Sequence, residues 1–141
     1  MISQMLQLIK EQEGFRATPY TDTTGNLTIG FGTNLTAGID KTLAILMLTY
    51  KISQNLLKLK QLGWFNNLDM TRQSVIENMA YNMGVEGVMG FHMMIAGLEA
   101  EDWTGAASDM LNSVWHSQVG ERAVVLSNIM RDGKFPDTVM S

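Results

Sequence analysis

Residues 13–32 read Glu-Gly-Phe-Arg-Ala-Thr-Pro-Tyr-Thr-Asp-Thr-Thr-Gly-Asn-Leu-Thr-Ile-Gly-Phe-Gly. This stretch holds most of the strand-favouring residues of the chain, and glycines punctuate them. Its residues 22–26, Asp-Thr-Thr-Gly-Asn, form a turn signal between two strand-like runs. The pattern predicts a hairpin or a small three-stranded sheet over residues 15–38. Because a sheet this small is not stable alone, we expect helices to support it.

The apolar residues on both sides of this stretch recur at helical spacing. Asp40 and Asp69 are predicted to begin helices as N-caps, and Gly14 and Gly133 are predicted to end them. The predicted helices cover residues 2–12, 41–61, 69–83, 91–99, 102–113 and 118–132.

Two segments are expected to lie outside helices. Residues 63–67 interrupt the long helix, and Gly84, Gly87 and Gly90 are expected to break the chain into short pieces. The inward face of the helix over 69–83 is predicted to hold Val75, Ile76, Met79 and Tyr81. The order of helix, small sheet, long helix and helical bundle indicates an α+β fold.

Composition excludes several classes of protein. The 141 residues suit one domain, and the net charge of −4 argues against nucleic-acid binding through phosphates and against attraction to anionic membranes. There is no cysteine, and His92 and His116 lack metal-ligand spacing, so no metal or other cofactor is implied. The longest apolar run, residues 43–48, is too short for membrane insertion, and we expect no signal peptide.

Three polar residues of the opening stretch suggest chemistry. Glu13 lies at the predicted C-terminal end of a helix, where the helix dipole disfavours a carboxylate, and burial there would favour its protonated form. Asp22 lies at the mouth of the hairpin, exposed enough to stay ionised, and the hydroxyl of Thr28 can orient a water. Two carboxyl groups in different environments are what glycosidic-bond cleavage requires.

Each of these residues also has a purely structural interpretation. Glu13 can pair with Arg16 or with a distant arginine, and Asp22 can serve its own turn by accepting from backbone amides. Thr28 suits a strand by propensity alone. Gly30 and Gly32 can serve backbone geometry alone. Taken one at a time, the structural interpretation is the commoner one for every position.

Taken together, the residues resemble the N-terminal active-site region of the phage-type lysozymes, glycoside hydrolase family 24. The similarity is carried by Glu13-Gly-Phe-Arg, Tyr20-x-Asp22, Gly25 and Thr28-Ile-Gly-Phe-Gly32, with eight residues between the glutamate and the aspartate and five between the aspartate and the threonine. It continues more weakly to about residue 133, through Asn78, Asn82, Gly84, Gly87, Gly90, Phe91, Trp103, Ala106, Ala107, Trp115, Arg122 and Ala123.

The resemblance implies a lysozyme-like fold, in which a small N-terminal sheet lobe and a larger helical lobe are joined by the long helix with a cleft between them. It implies that Glu13 is the general acid, that Asp22 assists the attacking water, that Thr28 orients it, and that Arg122 pairs with the acid. The candidates for substrate binding are Tyr81, Asn82, Phe31 and Asn34. Inversion of the anomeric centre is also implied.

Two departures from the family pattern are visible. Many members have a histidine after the Gly-x-Gly, where this chain has Thr33 and Asn34, and residues 44–52 offer no acidic partner for one. We therefore expect that an ion pair is missing and that activity is kept. The second departure is the acidic balance of the chain, because several members are basic, and it predicts weak steering towards an anionic wall.

The resemblance implies a muramidase that cleaves the β-1,4 bond from N-acetylmuramic acid to N-acetylglucosamine in bacterial peptidoglycan. The alternatives are a non-catalytic glycan-binding or phage structural module, and an enzyme acting on a related polymer such as chitin. As partners we expect peptidoglycan strands and a separate holin-type release protein, and we expect no binding to nucleic acid. The protein is expected to be a monomer. We also expect that the protein is made in the host cytoplasm and acts on the cell wall after its release.

Overall fold

The structure, a computed structural model, describes residues 2–137. Its elements in chain order are α1 Ile2–Glu13, β1 Arg16–Thr21, β2 Leu27–Gly30, β3 Thr33–Asn34, α2 Lys41–Leu59, α3 Gly63–Asn66, α4 Met70–Met89, α5 His92–Glu99, α6 Trp103–Leu111, α7 Val114–Val119 and α8 Glu121–Asp132. Helices predominate beside one small sheet, which confirms the α+β class. None of the helices in residues 2–137 is both long and apolar enough to cross a membrane.

Residue contacts divide the chain into two compact units, and the boundary between them in the sequence lies between Met47 and Leu48. The first unit contains the sheet, whose strands are antiparallel in the order β1-β2-β3. Thr28 lies on β2, the central strand, and pairs with Tyr20 of β1 and with Asn34 of β3. The predicted sheet over residues 15–38 is therefore confirmed.

The predicted helix signals next to the sheet are also confirmed. Gly14 follows α1 with a φ of 69°, and its N–H donates to the carbonyl of Lys10 at 2.9 Å. Asp40 caps α2, because its Oδ1 accepts from the N–H of Leu43 at 2.8 Å. Each signal is local, since it uses a residue within one helical turn.

The second unit has a core of buried apolar side chains. Val75, Ile76 and Met79 of α4 lie in it, as predicted. Met94, Met110 and Met130 are three further buried members, and methionine suits a core because its unbranched side chain adapts to irregular gaps. Tyr81 was predicted to point inward, and that prediction is wrong: 43% of it is exposed, since the neighbouring buried positions define a face that excludes it. The fully buried members include Leu59, Phe65, Met94, Met110 and Met130.

The structure corrects three predictions. Residues 63–66, within the interruption predicted at 63–67, form a short helix of their own, α3. The chain breaks at Gly84 as predicted, because the backbone there is non-helical, with a φ of 81° and a ψ of 159°, and α4 therefore consists of two helical segments; Gly87, however, lies inside the second segment and does not break it. The helix predicted over 118–132 is two helices, because Gly120 lies between α7 and α8 with a φ of 59°.

Arg72 connects the beginning of α4 to the end of α8. Its Nε donates to the carbonyl of Met130 at 2.6 Å, and its Nη2 donates to the carbonyl of Arg131 at 3.1 Å. Its Nη1 lies 3.0 Å from Oδ1 of Asp69, and its guanidinium lies 4.0 Å from the ring centroid of Trp103. The side chain is 11% exposed, so its hydrogen bonds to two carbonyls are partly shielded from water.

Candidate active site

Glu13 is the last residue of α1 and its side chain is exposed. Its carboxylate lies against Gly32, in the turn between β2 and β3. A Cβ atom at residue 32 would come within 2.9 Å of Cδ of Glu13, closer than real side chains approach, and Gly32 has a φ of 80°. Only glycine fits this position without moving the carboxylate. The turn after β2 therefore leaves room for the Glu13 carboxylate because residue 32 is glycine.

Asp22 follows β1 and accepts three hydrogen bonds on one oxygen. Its Oδ1 accepts from the N–H of Asn26 at 2.8 Å, and from the N–H and the hydroxyl of Thr24, both at 2.9 Å. The backbone N–H of Asn26, followed by the Thr24 hydroxyl, holds the pKa of Asp22 below its ordinary value, and the slight desolvation opposes them. These hydrogen bonds are the turn role that the sequence analysis gave as the structural interpretation of Asp22, and they also favour its ionised form.

Thr28 lies on β2 and is almost completely buried, with 3% exposed. Its hydroxyl donates to the carbonyl of Asn26 at 3.0 Å, and the same carbonyl accepts from the N–H of Asp22 at 2.9 Å. Asn26 therefore links the aspartate to the threonine. Sequence reasoning treated Asn26 only as a turn residue, although the Asp-Thr-Thr-Gly-Asn pattern already contained this signal.

The two substrate-binding candidates of the first unit lie close to these residues in the chain. Phe31, between Gly30 and Gly32, is 40% exposed, and its ring centroid lies 5.4 Å from that of Phe15. The ammonium of Lys10 lies 5.7 Å from the Phe31 centroid. Asn34 pairs with Thr28 across the sheet, and its Oδ1 accepts from the N–H of Ala37 at 3.2 Å. The first unit thus offers an exposed ring beside the Glu13 turn.

Arg122 and Tyr81, two of the candidates in the second unit, line one pocket there. Arg122 is held by Asn78, whose Oδ1 accepts from Nε at 3.0 Å and from Nη2 at 2.7 Å. The pocket has a volume of about 450 Å³ and also contains Glu77. Burial raises the pKa of Glu77, and the charge of Lys60 opposes that rise. The pairing of Arg122 with Glu13 stays a prediction.

Asn82, the third candidate of this unit, is tied to an aromatic residue. Its Oδ1 accepts from the indole N–H of Trp115 at 2.8 Å, which fixes the side-chain amide. Trp115 is itself buried and packs edge-on against Phe91, at 6.1 Å between centroids. The sequence singled out Asn82 and Trp115 separately, and no sequence signal indicated that they form a hydrogen bond.

Metal binding requires several ligands in one place. Within residues 2–137, no three histidine, aspartate or glutamate side chains gather in a group that could hold a metal ion.

Comparison with known proteins identifies the relatives of the chain. The sequence profile of the phage lysozyme family matches residues 10–131. Probable T4-type lysozyme 1 of Dictyostelium discoideum is 29% identical over 164 residues, covering 94% of this chain and 96% of that protein, and probable T4-type lysozyme 2 of the same organism is 28% identical with the same coverage. The pre-baseplate central spike protein Gp5 of Enterobacteria phage T4 is 36% identical over 66 residues, covering 47% of this chain and 12% of that protein.

Proposed function

The chain belongs to the phage lysozyme family, and from that membership we propose that it hydrolyses the β-1,4 bond between N-acetylmuramic acid and N-acetylglucosamine in bacterial peptidoglycan. Family membership indicates muramidase activity in general terms, while the bond, the residues and the mechanism are the proposal. The observation that carries it is the pair of carboxylates in the first unit. Glu13 is exposed beside a glycine turn, and Asp22 is held ionised by its own turn.

Glu13 is proposed as the general acid. It protonates the departing glycosidic oxygen, a role that requires a carboxyl group open to the substrate and fixed in position. Its exposure supports the first requirement, and its place against the Gly32 turn is the observation that bears on the second.

Asp22 and Thr28 are proposed to direct the attacking water. The three hydrogen bonds to Asp22 all involve Oδ1, so Oδ2 is the oxygen that can accept a proton from water. The hydroxyl of Thr28 donates a hydrogen bond to the carbonyl of Asn26, so its lone pairs remain for a water molecule. An attacking water placed between acid and base inverts the anomeric centre, and inversion is the outcome that we propose. The anomeric configuration of the first product, read by NMR, tests this step.

The experiment that tests the function compares Glu13→Gln with Glu11→Gln. Both glutamates are exposed on α1, and only the first lies against the Gly32 turn, so Glu11 is a matched control. We expect Glu13→Gln to lower the rate of peptidoglycan clearance by about 10²- to 10⁴-fold, and Glu11→Gln to leave it unchanged. Equal rates for Glu13→Gln and the wild type, with matching thermal melts, would exclude Glu13 as the acid.

The similarity to the spike protein of phage T4 supports a second candidate, a glycan-binding module of a larger assembly. Saccharide binding without product release would favour it. Peptidoglycan is the proposed partner in both cases. We further propose that the protein acts as a monomer, is made in the host cytoplasm, and reaches the wall with the help of a holin-type protein. Lysis by the enzyme expressed with and without such a protein tests the last point.

A further inference from the structure

A groove in the second unit lies apart in sequence from all the residues assigned above. It has a volume of about 640 Å³, within the range of small-molecule sites, and the indoles of Trp64 and Trp103 are among its walls. Glu99 and Glu101 line it as well. Three elements supply these residues, namely α3, the C-terminal end of α5 with its following turn, and the first residue of α6. The groove therefore combines two aromatic walls with two carboxylates.

Trp103 already attracts a cation. The guanidinium of Arg72 lies 4.0 Å from its ring centroid, so one face of this indole is covered by a cation of the protein itself. Trp64 is half-buried, and its ring meets Phe65 edge-on at 6.4 Å between centroids, which restrains it. Indole is the aromatic group that attracts cations most strongly, and cages of such rings recognise ammonium ligands.

The charge of the groove is complementary to a cation. Glu101 has a φ of 57°, a left-handed conformation that costs a residue with a side chain about 1 kcal/mol or more, and it occupies the position after α5 where glycine is preferred. The C-terminal dipole of α5 adds partial negative charge. The nearby positive charge of Arg72 is paired with Asp69, and the N-terminal amides of α6 are capped by Asp102.

We propose that this groove binds an aliphatic ammonium group, carried by a free polyamine or by the lysine side chain of a peptide. The indoles contact the alkyl chain and the cationic head, while Glu99 and Glu101 neutralise the charge. A neutral saccharide would use the same carboxylates as hydrogen-bond acceptors, yet it would gain nothing from their charge. The proposal does not depend on hydrolysis, because the groove contains none of the proposed catalytic residues.

The test is an NMR titration of the full-length protein that follows the two indole N–H signals. The probes are spermidine, N-acetyl-lysine methylamide, the uncharged N-acetyl-norleucine methylamide, and di-N-acetylchitobiose. We expect saturable shifts of the Trp64 and Trp103 signals with one or both amines, which salt weakens, and none with norleucine. The stronger of the two amines identifies the source of the ammonium group.

Glu101→Gln is expected to weaken amine binding about two- to fivefold, and Glu86→Gln, on the exposed part of α4, to leave it unchanged. Glu101→Gln keeps both indoles and leaves the core of the second unit unchanged, so its effect on binding is read in a folded protein. Equal responses to lysine and norleucine, saturation by the saccharide alone, or unchanged binding in Glu101→Gln would each overturn the proposal.

Discussion

Substitution of Gly32 by alanine should show whether the position of the Glu13 carboxylate affects catalysis independently of the stability of the turn. A Cβ at residue 32 would lie 2.9 Å from Cδ of Glu13, and ordinary contact between carbon atoms is about 3.5–4.0 Å. The carboxylate must therefore move by roughly 1 Å. Gly30→Ala is the matched control, since Gly30 also has a positive φ, of 69°, while a Cβ there would meet nothing within 4 Å.

The two substitutions have the same stability cost and different effects on catalysis. Alanine in the left-handed region costs about 1–2 kcal/mol, so both variants should unfold more easily by about that amount. The Glu13 side chain can swing away, and the clash therefore adds little to the cost in Gly32→Ala. A shift of about 1 Å in a catalytic group can lower the rate about 100-fold, and only Gly32→Ala imposes one.

The assay is clearance of purified peptidoglycan, corrected for the folded fraction, with urea unfolding of each variant. We expect Gly32→Ala to fall well below Gly30→Ala in activity, and the two to be alike in unfolding free energy. If Gly32→Ala clears the substrate as fast as Gly30→Ala, then either Glu13 is not the acid or its contact with the turn is unimportant.

The remaining predictions concern stability and its pH dependence. Because folding lowers the pKa of Asp22, the ionised side chain stabilises the fold above the ordinary value of 3.8, and this stabilisation is lost as the pH falls through the lowered value. The unfolding free energies of the wild type and of Asp22→Asn, measured in urea, should therefore converge in acid. A difference between them that stays constant with pH would contradict this. Asn55 is 5% exposed, and its Nδ2 has no hydrogen-bond partner within residues 2–137. Asn55→Leu should therefore raise the unfolding free energy by about 1–3 kcal/mol. A lower unfolding free energy would show that the amide is satisfied. Arg72→Met should lower it by about 1–3 kcal/mol because the carbonyl of Met130 loses its donor, and an unchanged midpoint in urea would refute that account.

The sequence predicted the elements whose signals are local. The turn at residues 22–26, the end of α1 at Gly14 and the caps at Asp40 and Asp69 all use contacts within a few residues, and each is present. Gly87 and Gly120 show the limit of such reasoning. Gly87 was expected to break the chain and lies inside a helical segment, whereas Gly120 lies inside a predicted helix and separates α7 from α8. Packing of the following segment decides between these outcomes, and local propensity does not contain it.

The candidate site was accessible to sequence reasoning where its residues share one short segment. Glu13, Asp22 and Thr28 lie within a single helix and hairpin of the first unit, and the family resemblance singled them out. The contact of Glu13 with Gly32 depends on where the β2–β3 turn folds back, which a list of residues does not specify. The hydrogen bond between Asn82 and Trp115 joins residues 33 positions apart and needed the assembled second unit.

The carbonyls that Arg72 requires belong to residues 130 and 131, and the first of these hydrogen bonds spans 58 positions. During synthesis on the ribosome, α4 therefore emerges long before α8, which carries these carbonyls. The strand pairs that hold Asp22 and Thr28 are all close in sequence and can form while synthesis continues. The helical unit therefore becomes complete only when the last helix has been translated.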